Sequence, residues 1–396
     1  MIAADVFFLR PDWAEKMQVE YRYDTLTKRG LTGKEKRVSL RSLPVKSLRF
    51  TGKARNPAEA IRARLALYKN QDKIFGVPFW PDVVALTADV EAGALSLPVT
   101  TTAYRHFDGA VVLTNGQGAY EVVTGTVAGG TTLTLDTGAV YPWPVGTLVL
   151  PFFQAWLEPS LTAKSGTADD LAVTVRFEEA HAEQIALPAP DISALQTYQG
   201  LPLLPSLVDF SGSLHMAVGR DVDDFQAWGP RNRFSPQDYP TLTYDWDWQA
   251  FDRGILKKTL DLFRHCRGRL GTFWGPSHVS DLKLSGPFSA SATDLPVVDS
   301  GFGEFFQTCG DLGRFLALVY ADGTVVCREI TAYNAGPGTI TLDSAPGKDC
   351  PGPDYCKLSF ITPARFDNDA FEMDWTTTDS VAGAVKIKSL LGDANA

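Results

Sequence analysis

The sequence predicts a mainly β protein in which one fold occurs twice in tandem. A chain of 396 residues is too long for a single small core and fits two domain-sized units. Its 25 prolines and 34 glycines favour many short strands joined by turns. Most directly, the segment from Pro11 to Trp80 matches the segment from Pro205 to Trp274 at a constant shift of 194 residues. We therefore expect two copies of one structural unit.

The match continues beyond this segment with a shift that grows along the chain. Loops absorb changes in length that helices and strands do not, so two copies of one fold drift in this way. An ordered series of matches indicates an internal duplication, and a duplicated fold favours a unit of symmetric assembly over an enzyme. The matched segments are 97–99 with 295–297 at a shift of 198, and 133–136 with 340–343 and Phe153 with Phe360 at a shift of 207.

Each copy is predicted to contain strands followed by one helix. In the first copy residues 38–50 predict half-buried strands, and Pro57 is placed to open the helix, where its missing N–H costs little. The Phe-Trp pair after each helix predicts that Trp80 and Trp274 occupy equivalent buried positions and lock the helix to the sheet. Each helix also has an apolar stripe at positions i, i+4 and i+7. The stripes are Ile61, Leu65 and Tyr68 in the first copy and Leu256, Leu260 and Phe263 in the second.

A second module follows the helix in each copy. Residues 110–153 and 315–360 contain strands of four to six residues separated by Gly-Gly and Asp-Gly turns, which is the pattern of β-hairpins. Four or five such strands form a small SH3-like or OB-like barrel. Each module is followed by an acidic strand of alternating polarity, at residues 171–177 and 371–375.

These elements divide the chain into three parts. The first copy spans residues 1–181, with its inserted barrel at about 95–157. A proline-rich linker at 182–204 joins it to the second copy at 205–396, whose inserted barrel is at about 290–363.

The charges are unevenly distributed between the copies. The net charge is −9, yet residues 10–73 contain 17 Lys and Arg against 7 Asp and Glu. The matching window 204–267 contains 8 basic and 9 acidic residues. A basic cluster of this size is usually a solvated face, and the contrast also fits complementary surfaces that meet around a ring. The acidic remainder of the chain argues against nucleic-acid binding as the main task. We also expect no secretory signal and no membrane span, because no apolar run approaches about 18 residues.

Signatures of catalysis and metal binding are missing from the sequence. It has no HExxH, P-loop or GxSxG motif, and none of its five histidines is at metal-binding spacing from another. The five cysteines lack CxxC spacing and all lie in the second copy, so we expect buried free thiols. We predict no catalytic, cofactor-binding or metal site and no cofactor. Whether Cys309, Cys327, Cys350 and Cys356 bind anything stays open at this point.

One acidic segment offers an alternative. In a strand, Asp245 and Asp247 would share one face while Trp246 and Trp248 share the other. Paired carboxylates beside tryptophans can build a sugar-cleaving cleft. An edge strand with charge on one face and aromatic residues on the other is also ordinary interface design, and we favour that interpretation.

The layout resembles tail-tip or baseplate proteins of long, non-contractile-tailed bacteriophages. Residues 37–50 are similar to the basic strand segment that precedes the helix in such proteins. Residues 120–123, 132–136 and 144–151 are similar to their inserted barrel. The resemblance covers both halves of the chain. The cysteine pattern departs from that of hub relatives with a cysteine-ligated iron–sulfur cluster.

The resemblance implies a tail-tube-like β-sandwich with a flanking helix, and a distal-tail or hub role. Such a virion protein is assembled in the host cytoplasm and forms a ring around the DNA channel. It joins the tail tube to host-recognition proteins and conducts DNA at ejection without binding it specifically. Because each chain would supply two wedges, we predict a trimer with pseudo-six-fold symmetry, with a true hexamer as the alternative.

Two other functions stay open on the sequence. A carbohydrate-binding adhesin at the tail tip should present exposed tryptophans in each barrel, but Trp143 has no tryptophan counterpart near Cys350. A wall-degrading glycosidase would need a paired acid and nucleophile, for which only Asp245 and Asp247 are available.

Overall fold

The computed structural model describes residues 6–54, 56–116, 119–159, 161–165, 171–180, 189–205, 214–225, 232–237, 239–298, 301–304 and 313–391. These residues form a mainly β structure, as predicted, and most of their strands belong to one large antiparallel sheet system. Below, the first half is the chain up to residue 181 and the second half begins at residue 205. Cys309 and His181 lie outside the described residues, as do 182–188 of the predicted linker.

The strands of the first half and the linker are β1 Arg10–Pro11, β2 Met17–Arg22, β3 Thr25–Arg29, β4 Glu35–Ser39, β5 Val45–Lys53, β6 Ile74–Pro78, β7 Val84–Ala85, β8 Ser96–Pro98, β9 Gly109–Thr114, β10 Tyr120–Val127, β11 Thr132–Leu135, β12 Leu148–Leu157, β13 Thr162–Lys164, β14 Ala172–Glu179, β15 Thr197–Tyr198 and β16 Leu201–Pro202. Those of the second half are β17 His215–Gly219, β18 Asp223–Phe225, β19 Asn232–Phe234, β20 Thr241–Ala250, β21 Phe273–Pro276, β22 Asp294–Pro296, β23 Phe315–Tyr320, β24 Val325–Asn334, β25 Thr339–Leu342, β26 Cys356–Phe366, β27 Ala370–Trp375 and β28 Val381–Ser389. The helices are α1 Pro57–Asn70 and α2 Arg253–Cys266, with 3-10 turns at Trp80–Asp82 and Pro353–Tyr355.

Eight strands form one continuous antiparallel sheet that crosses both halves. Its order is β13–β14–β5–β2–β27–β28–β20–β17. The junction between the halves is β2, which pairs with β5 on one side and with β27 of the second half on the other. Side chains of a strand alternate between faces, so one face of this sheet buries a single core shared by both halves.

Each half also contains a smaller set of strands with a core of its own. In the first half, neighbouring strands pair in the order β12, β9, β10, β11 and β8. Strand β7 pairs with β12, and Leu86, which follows β7, forms a bridge with Val99 at the end of β8. In the second half β26, β23, β24, β25 and β22 pair in the same order, with equivalent bridges at Leu282 and Leu284. Separate clusters of buried apolar residues fill the two sets.

The strand pairings fix the register between the halves and correct part of the predicted match. Leu97 lies opposite Leu133 as Leu295 lies opposite Ile340, which agrees with the predicted shifts of 198 and 207. The constant shift of 194 is wrong at the helices, since their N-cap residues Asn56 and Asp252 are 196 residues apart.

The two tryptophans also fail to match. Val6 bridges Gly76 as Leu203 bridges Trp274, so the counterpart of Trp274 is Gly76. Trp80 instead opens a 3-10 turn, while Trp274 lies within β21. Both tryptophans are buried, but the prediction of equivalent positions is wrong.

The strand pairings also correct two further predicted matches. Ala155 pairs with Phe75 as Ala364 pairs with Phe273, so β12 and β26 correspond at a shift of 209. Phe153 therefore matches Thr362 rather than Phe360. The counterpart of β14 is β28, because each pairs with both the strand before the helix and the last strand of the smaller set. The predicted match of residues 171–177 with 371–375 is wrong, and β27 corresponds to β13.

Helix α1 begins at Pro57 as predicted, and the side chain of Asn56 caps it by accepting a hydrogen bond from Glu59 N at 2.9 Å. The buried residues of α1 are Ala60, Ala63 and Leu67, which are not the residues of the predicted apolar stripe. The stripe Ile61, Leu65 and Tyr68 points outward and is exposed. In α2 the predicted stripe Leu256, Leu260 and Phe263 is buried. The two helices therefore differ in how much of their surface is covered.

The described part of the linker lies against the second half. Leu203 bridges Trp274, and Leu203 and Trp274 share a small apolar cluster with Cys327 and Ile361. The indole N–H of Trp274 donates a hydrogen bond to Tyr198 O at 2.8 Å. Residues 197–204 are thus held in place by β21 rather than spanning solvent.

Candidate functional site

The outer face of the eight-stranded sheet is polar over its whole width. Alternate residues of each strand point away from the core, and in β2, β14, β20 and β27 most of these are charged or amide side chains and the rest are Thr or Ala. Across the strands Arg49 lies opposite Arg176 on one side and Gln18 on the other, and Gln18 lies opposite Asp374. The charged residues of this face are the acidic Glu20, Glu178, Asp245, Asp247, Glu372 and Asp374 and the basic Arg22, Arg49, Lys53, Lys164, Arg176, Lys386 and Lys388.

Contacts between neighbouring strands tie these side chains together. Arg176 Nη2 lies 3.0 Å from Glu20 Oε2, and Gln18 Nε2 donates to Glu372 Oε2 at 3.1 Å. Lys16 reaches Asp374 at 3.4 Å. Solvent-exposed pairs of this kind contribute about 0–1 kcal/mol each, so they arrange the surface more than they stabilise the fold. The result is a mixed polar surface on which acidic and basic groups are nearly balanced.

The acidic pair singled out by the sequence lies on this face. Asp245 and Asp247 point outward from β20, and Trp246 and Trp248 are buried on the other side, as the alternation predicts. The expectation of an edge strand is wrong, because β20 lies between β17 and β28. The two carboxylates thus belong to the open polar face of the sheet.

A second polar cluster lies between the halves, in a cleft that the sequence analysis missed. Asp82 ends the 3-10 turn after β6, and His106 lies in the loop before β9. Arg253 is the first residue of α2, whose N-cap is Asp252. The carboxylate of Asp82 accepts from His106 Nδ1 at 2.9 Å and from Arg253 Nη1 at 2.6 Å. Burial alone would raise the pKa of Asp82, but His106 and Arg253 outweigh it and hold that pKa well below its usual range.

Arg253 is the centre of this cluster. Its guanidinium also donates to the carbonyl oxygens of Pro81 and Thr378 and lies 3.2 Å from Asp379 Oδ1. It stands over the ring of Trp375 at 5.0 Å from the ring centroid. One side chain of the second half is thereby bonded to the first half and to the turn between β27 and β28.

The cleft beside this cluster has a volume of about 190 Å³. Its apolar walls are formed by Tyr21, Phe79, Leu256, Leu260, Met373 and Trp375. A histidine held by a buried carboxylate is typical of a general base. However, the cleft lining contains no Ser, Thr or Cys, and Lys257 is engaged by Asp261 at 2.5 Å. The geometry therefore favours a contact that fastens the halves together over a nucleophilic site.

A third cluster joins the hairpin β3–β4 to the second half. Glu35 accepts from Arg365 Nε at 2.7 Å and from Lys388 Nζ at 2.6 Å, and both Glu35 and Arg365 are buried. Burial acts to raise the pKa of Glu35, but hydrogen bonds from Arg365 and Lys388 outweigh it and lower the pKa to about 2. Arg37 of the same hairpin donates to Arg269 O and Gly271 O, each at 3.3 Å.

One lysine points into the core. Lys46 of β5 is fully buried, and its ammonium lies 3.6 Å from the ring centroid of Phe79 and 4.8 Å from that of Phe153. No hydrogen-bond partner for its Nζ occurs among the described residues. Burial lowers the pKa of Lys46 to about 8, against the opposing influence of Glu179 and Asp82.

The described cysteines are buried free thiols: Cys266, Cys327, Cys350 and Cys356. Burial raises the pKa of Cys266 and of Cys356 to about 12 and that of Cys327 to about 11. No group of three or more His, Cys, Asp or Glu side chains is placed to hold a metal ion in the part of the chain that the structure describes. Thiols with such pKa values are poor nucleophiles.

The sequence offered little to locate the Asp82–His106–Arg253 cluster. Its members are far apart along the chain, and no periodicity relates them. The only available signal was the common N-cap position of Asn56 and Asp252, which marks Arg253 as the first residue of its helix.

Trp143, which the adhesin alternative requires to be exposed, is buried in the structure. Its indole N–H donates to Glu121 Oε2 at 2.8 Å.

Comparisons with known proteins identify no relative. A scan against protein-family models finds no match, and a search of curated proteins finds none similar to this chain. Among the described residues, no helix is long and apolar enough to cross a membrane.

Proposed function

We propose that the protein is a virion structural component of the tail tip or baseplate of a long, non-contractile-tailed bacteriophage. In this role it forms a homo-oligomeric ring around the DNA channel and joins the tail tube to host-recognition proteins. The observation that carries the proposal is the eight-stranded sheet, in which strands of both halves lie side by side with one polar and one buried face. Such a sheet suits one segment of a channel wall, with its polar face toward the channel and its buried face toward the protein core.

We propose that the halves are two copies of one unit, a tail-tube-like β-sandwich with a flanking helix and an inserted small barrel. The order of strand pairings supports this: β5, β6, β9 to β12 and β14 pair among themselves as β20, β21, β23 to β26 and β28 do. Three chains with two units each would surround the axis with pseudo-six-fold symmetry.

The polar face of the sheet is the proposed channel wall. It has six acidic and seven basic groups, several of them paired with neighbouring side chains. A strongly basic surface would hold the phosphate backbone of DNA through the release of counterions, whereas one with nearly balanced charges lets it pass. This property suits a conduit.

We propose a structural rather than a catalytic role. Asp245 lines a depression of about 240 Å³ on the polar face and Asp247 is not part of that lining, so the two carboxylates do not share one cleft. The cleft at Asp82 holds ion pairs between the halves. The adhesin alternative requires an exposed tryptophan in each barrel. Trp143 is buried, and the exposed Trp156 has the buried Arg365 at the matching position of the second half, which speaks against this alternative.

Mass measurement and imaging of the purified protein test the proposal. A trimer of 43.1 kDa chains with six similar densities around an open channel is the expected result. Antibody labelling of isolated phage tails should mark the tip. A monomer at all concentrations would overturn the ring, and label confined to heads or to host lysate would overturn the tail-tip assignment.

A further inference from the structure

The contact between the two halves has a defined chemistry. Strand β2 inserts between β5 of its own half and β27 of the second half. Its inward residues Val19 and Tyr21 are 0% and 1% exposed. Nearby, Tyr23 Oη donates to Arg264 O of α2 at 3.4 Å. Both the strand edge and the helix surface of the second half are covered at this contact.

The second half has a strand in the same place as β2. Gln18 pairs with Arg49 of β5 as His215 pairs with Asp245 of β20, so β17 is the counterpart of β2 at a shift of 197. Met216 and Val218 therefore occupy the positions of Val19 and Tyr21. They are each 60% exposed, against 0% and 1% for their counterparts. Within the described residues, β17 pairs with β20 alone.

The first half has an uncovered counterpart of the receiving strand. Lys164 of β13 pairs with Ala172 as Asp374 of β27 pairs with Ala382, which places β13 at the position of β27 at a shift of 210. All three residues of β13 are exposed, and among the described residues its one strand partner is β14. The buried Arg365 of the second half, which receives the hairpin β3–β4, has Trp156 as its counterpart, and Trp156 is exposed.

The helices show the same difference. Lys257, Asp261 and Arg264 of α2 line the cleft against the first half, and the latter two are buried. At a shift of 196 their counterparts in α1 are Ile61, Leu65 and Tyr68, which are 55%, 61% and 92% exposed. An exposed apolar patch of this kind marks an interaction surface.

We propose that a second copy of this chain covers these surfaces head to tail. Strand β17 of one chain adds to the edge of β13 of the next, and Met216 and Val218 pack toward the α1 stripe of that chain. The occupant is argued from continuity with the contact inside the chain, which already joins the same elements in the same order. Exposed strand edges are templates for such pairing, and a head-to-tail contact that closes leaves no edge free.

The internal register predicts the register between chains. Val19 lies opposite Met373 and Glu20 opposite Glu372. With the shifts given above, Met216 should lie opposite Ala163 of the next copy, and Ala217 opposite Thr162 of the next copy. This inference deepens the homo-oligomer proposed above and rests on it, because it names the surfaces by which the ring closes.

A disulfide between chains tests the register. In the full chain with Cys309→Ser, the pair Ala217→Cys and Thr162→Cys should oxidise to covalent multimers, with a 217–162 cross-linked peptide in the mass spectrum. Residues opposite each other in antiparallel strands have the spacing that a disulfide needs. The matched control is Ala217→Cys with Thr126→Cys, an exposed strand residue of the smaller set, which should stay uncross-linked.

Disruption of the contact provides the second measurement. Met216→Glu with Val218→Glu should raise the dissociation constant at least about 100-fold while the circular dichroism melt stays unchanged. Val140→Glu, also at an exposed valine, should leave the mass unaltered. An oligomer that neither cross-links at 217–162 nor dissociates in the double variant would overturn these surfaces and leave the ring standing. A wild-type monomer at every concentration would overturn both.

Discussion

Replacing Arg253 with methionine should destabilise the folded protein by about 3–5 kcal/mol, the cost of removing one partner from a buried ion pair. The side chain of Arg253 is 8% exposed and that of Asp82 is 2% exposed, so neither charge regains much hydration when the other is lost. Arg253→Met leaves the Asp82 carboxylate with its contacts to His106 and deprives the carbonyls of Pro81 and Thr378 of a donor. Urea unfolding followed by circular dichroism measures the change.

A double-mutant cycle separates the ion pair from simple loss of packing. Asp82→Asn together with Arg253→Met removes both charges, so it should cost about 1–3 kcal/mol less than the sum of the single changes. Arg62→Met, at an exposed position of α1, is the matched control and should stay within about 0.5 kcal/mol of wild type. A cost below about 1 kcal/mol for Arg253→Met, or strict additivity in the cycle, would refute the claim that this pair fastens the halves.

Three further predictions concern titratable groups. Because the pKa of Glu35 falls from 4.5 to about 2 on folding, stability that is present above pH 4.5 should be lost as the pH falls toward 2. Glu35→Gln should flatten that pH dependence, and equal slopes in both proteins would contradict the role of Arg365 and Lys388. The pKa of Lys46 falls from 10.5 to about 8, so wild-type stability should rise between pH 8 and 10.5, and Lys46→Met should abolish the rise. If the urea midpoint of Lys46→Met rose between pH 8 and 10.5 as much as that of the wild type, Lys46 would not be the cause of the rise and its ammonium would be hydrated in the folded protein. Finally, Cys266, Cys327, Cys350 and Cys356 should resist a thiol reagent until the chain unfolds, and a chelator should leave the melting temperature unchanged; rapid reaction of more than one thiol in the native protein would be inconsistent with their burial.

Patterns fixed by backbone geometry were predictable from the sequence. The alternation of Asp245, Trp246, Asp247 and Trp248 follows from the two-residue period of a strand, and the structure has the tryptophans inside and the carboxylates outside. The Leu-Pro-Val segment that recurs at a shift of 198 forms a strand in each smaller set, and these strands pair with β11 and β25. The shift of 194 failed at the helices and the tryptophans because single residues and the Phe-Trp pair can recur without sharing a place in the fold.

Features that depend on distant partners were not predictable. The i, i+4, i+7 spacing correctly identified Ile61, Leu65 and Tyr68 as one stripe, but periodicity does not say which stripe faces the sheet. The structure buries Ala60, Ala63 and Leu67 instead. The Asp82–Arg253 contact joins residues from different halves, and nothing in the local sequence of either indicates the other.

The exposed face of α1 is apolar, whereas the matching face of α2 is charged. This difference follows from the free-energy cost of forming a contact between chains compared with one inside a chain. The face of α2 meets the first half of its own chain, so the contact forms without loss of translational freedom, and a polar surface with Asp261 and Arg264 suffices. The proposed contact at α1 joins separate chains, and association costs about 4–15 kcal/mol of translational and rotational freedom. Burial of apolar surface offsets that cost at about 25 cal/mol per Å². Ile61, Leu65 and Tyr68 stand where α2 has charged residues, which is the substitution that a contact between chains requires. In this proposal the two halves differ most at the position where one meets its own chain and the other meets the next.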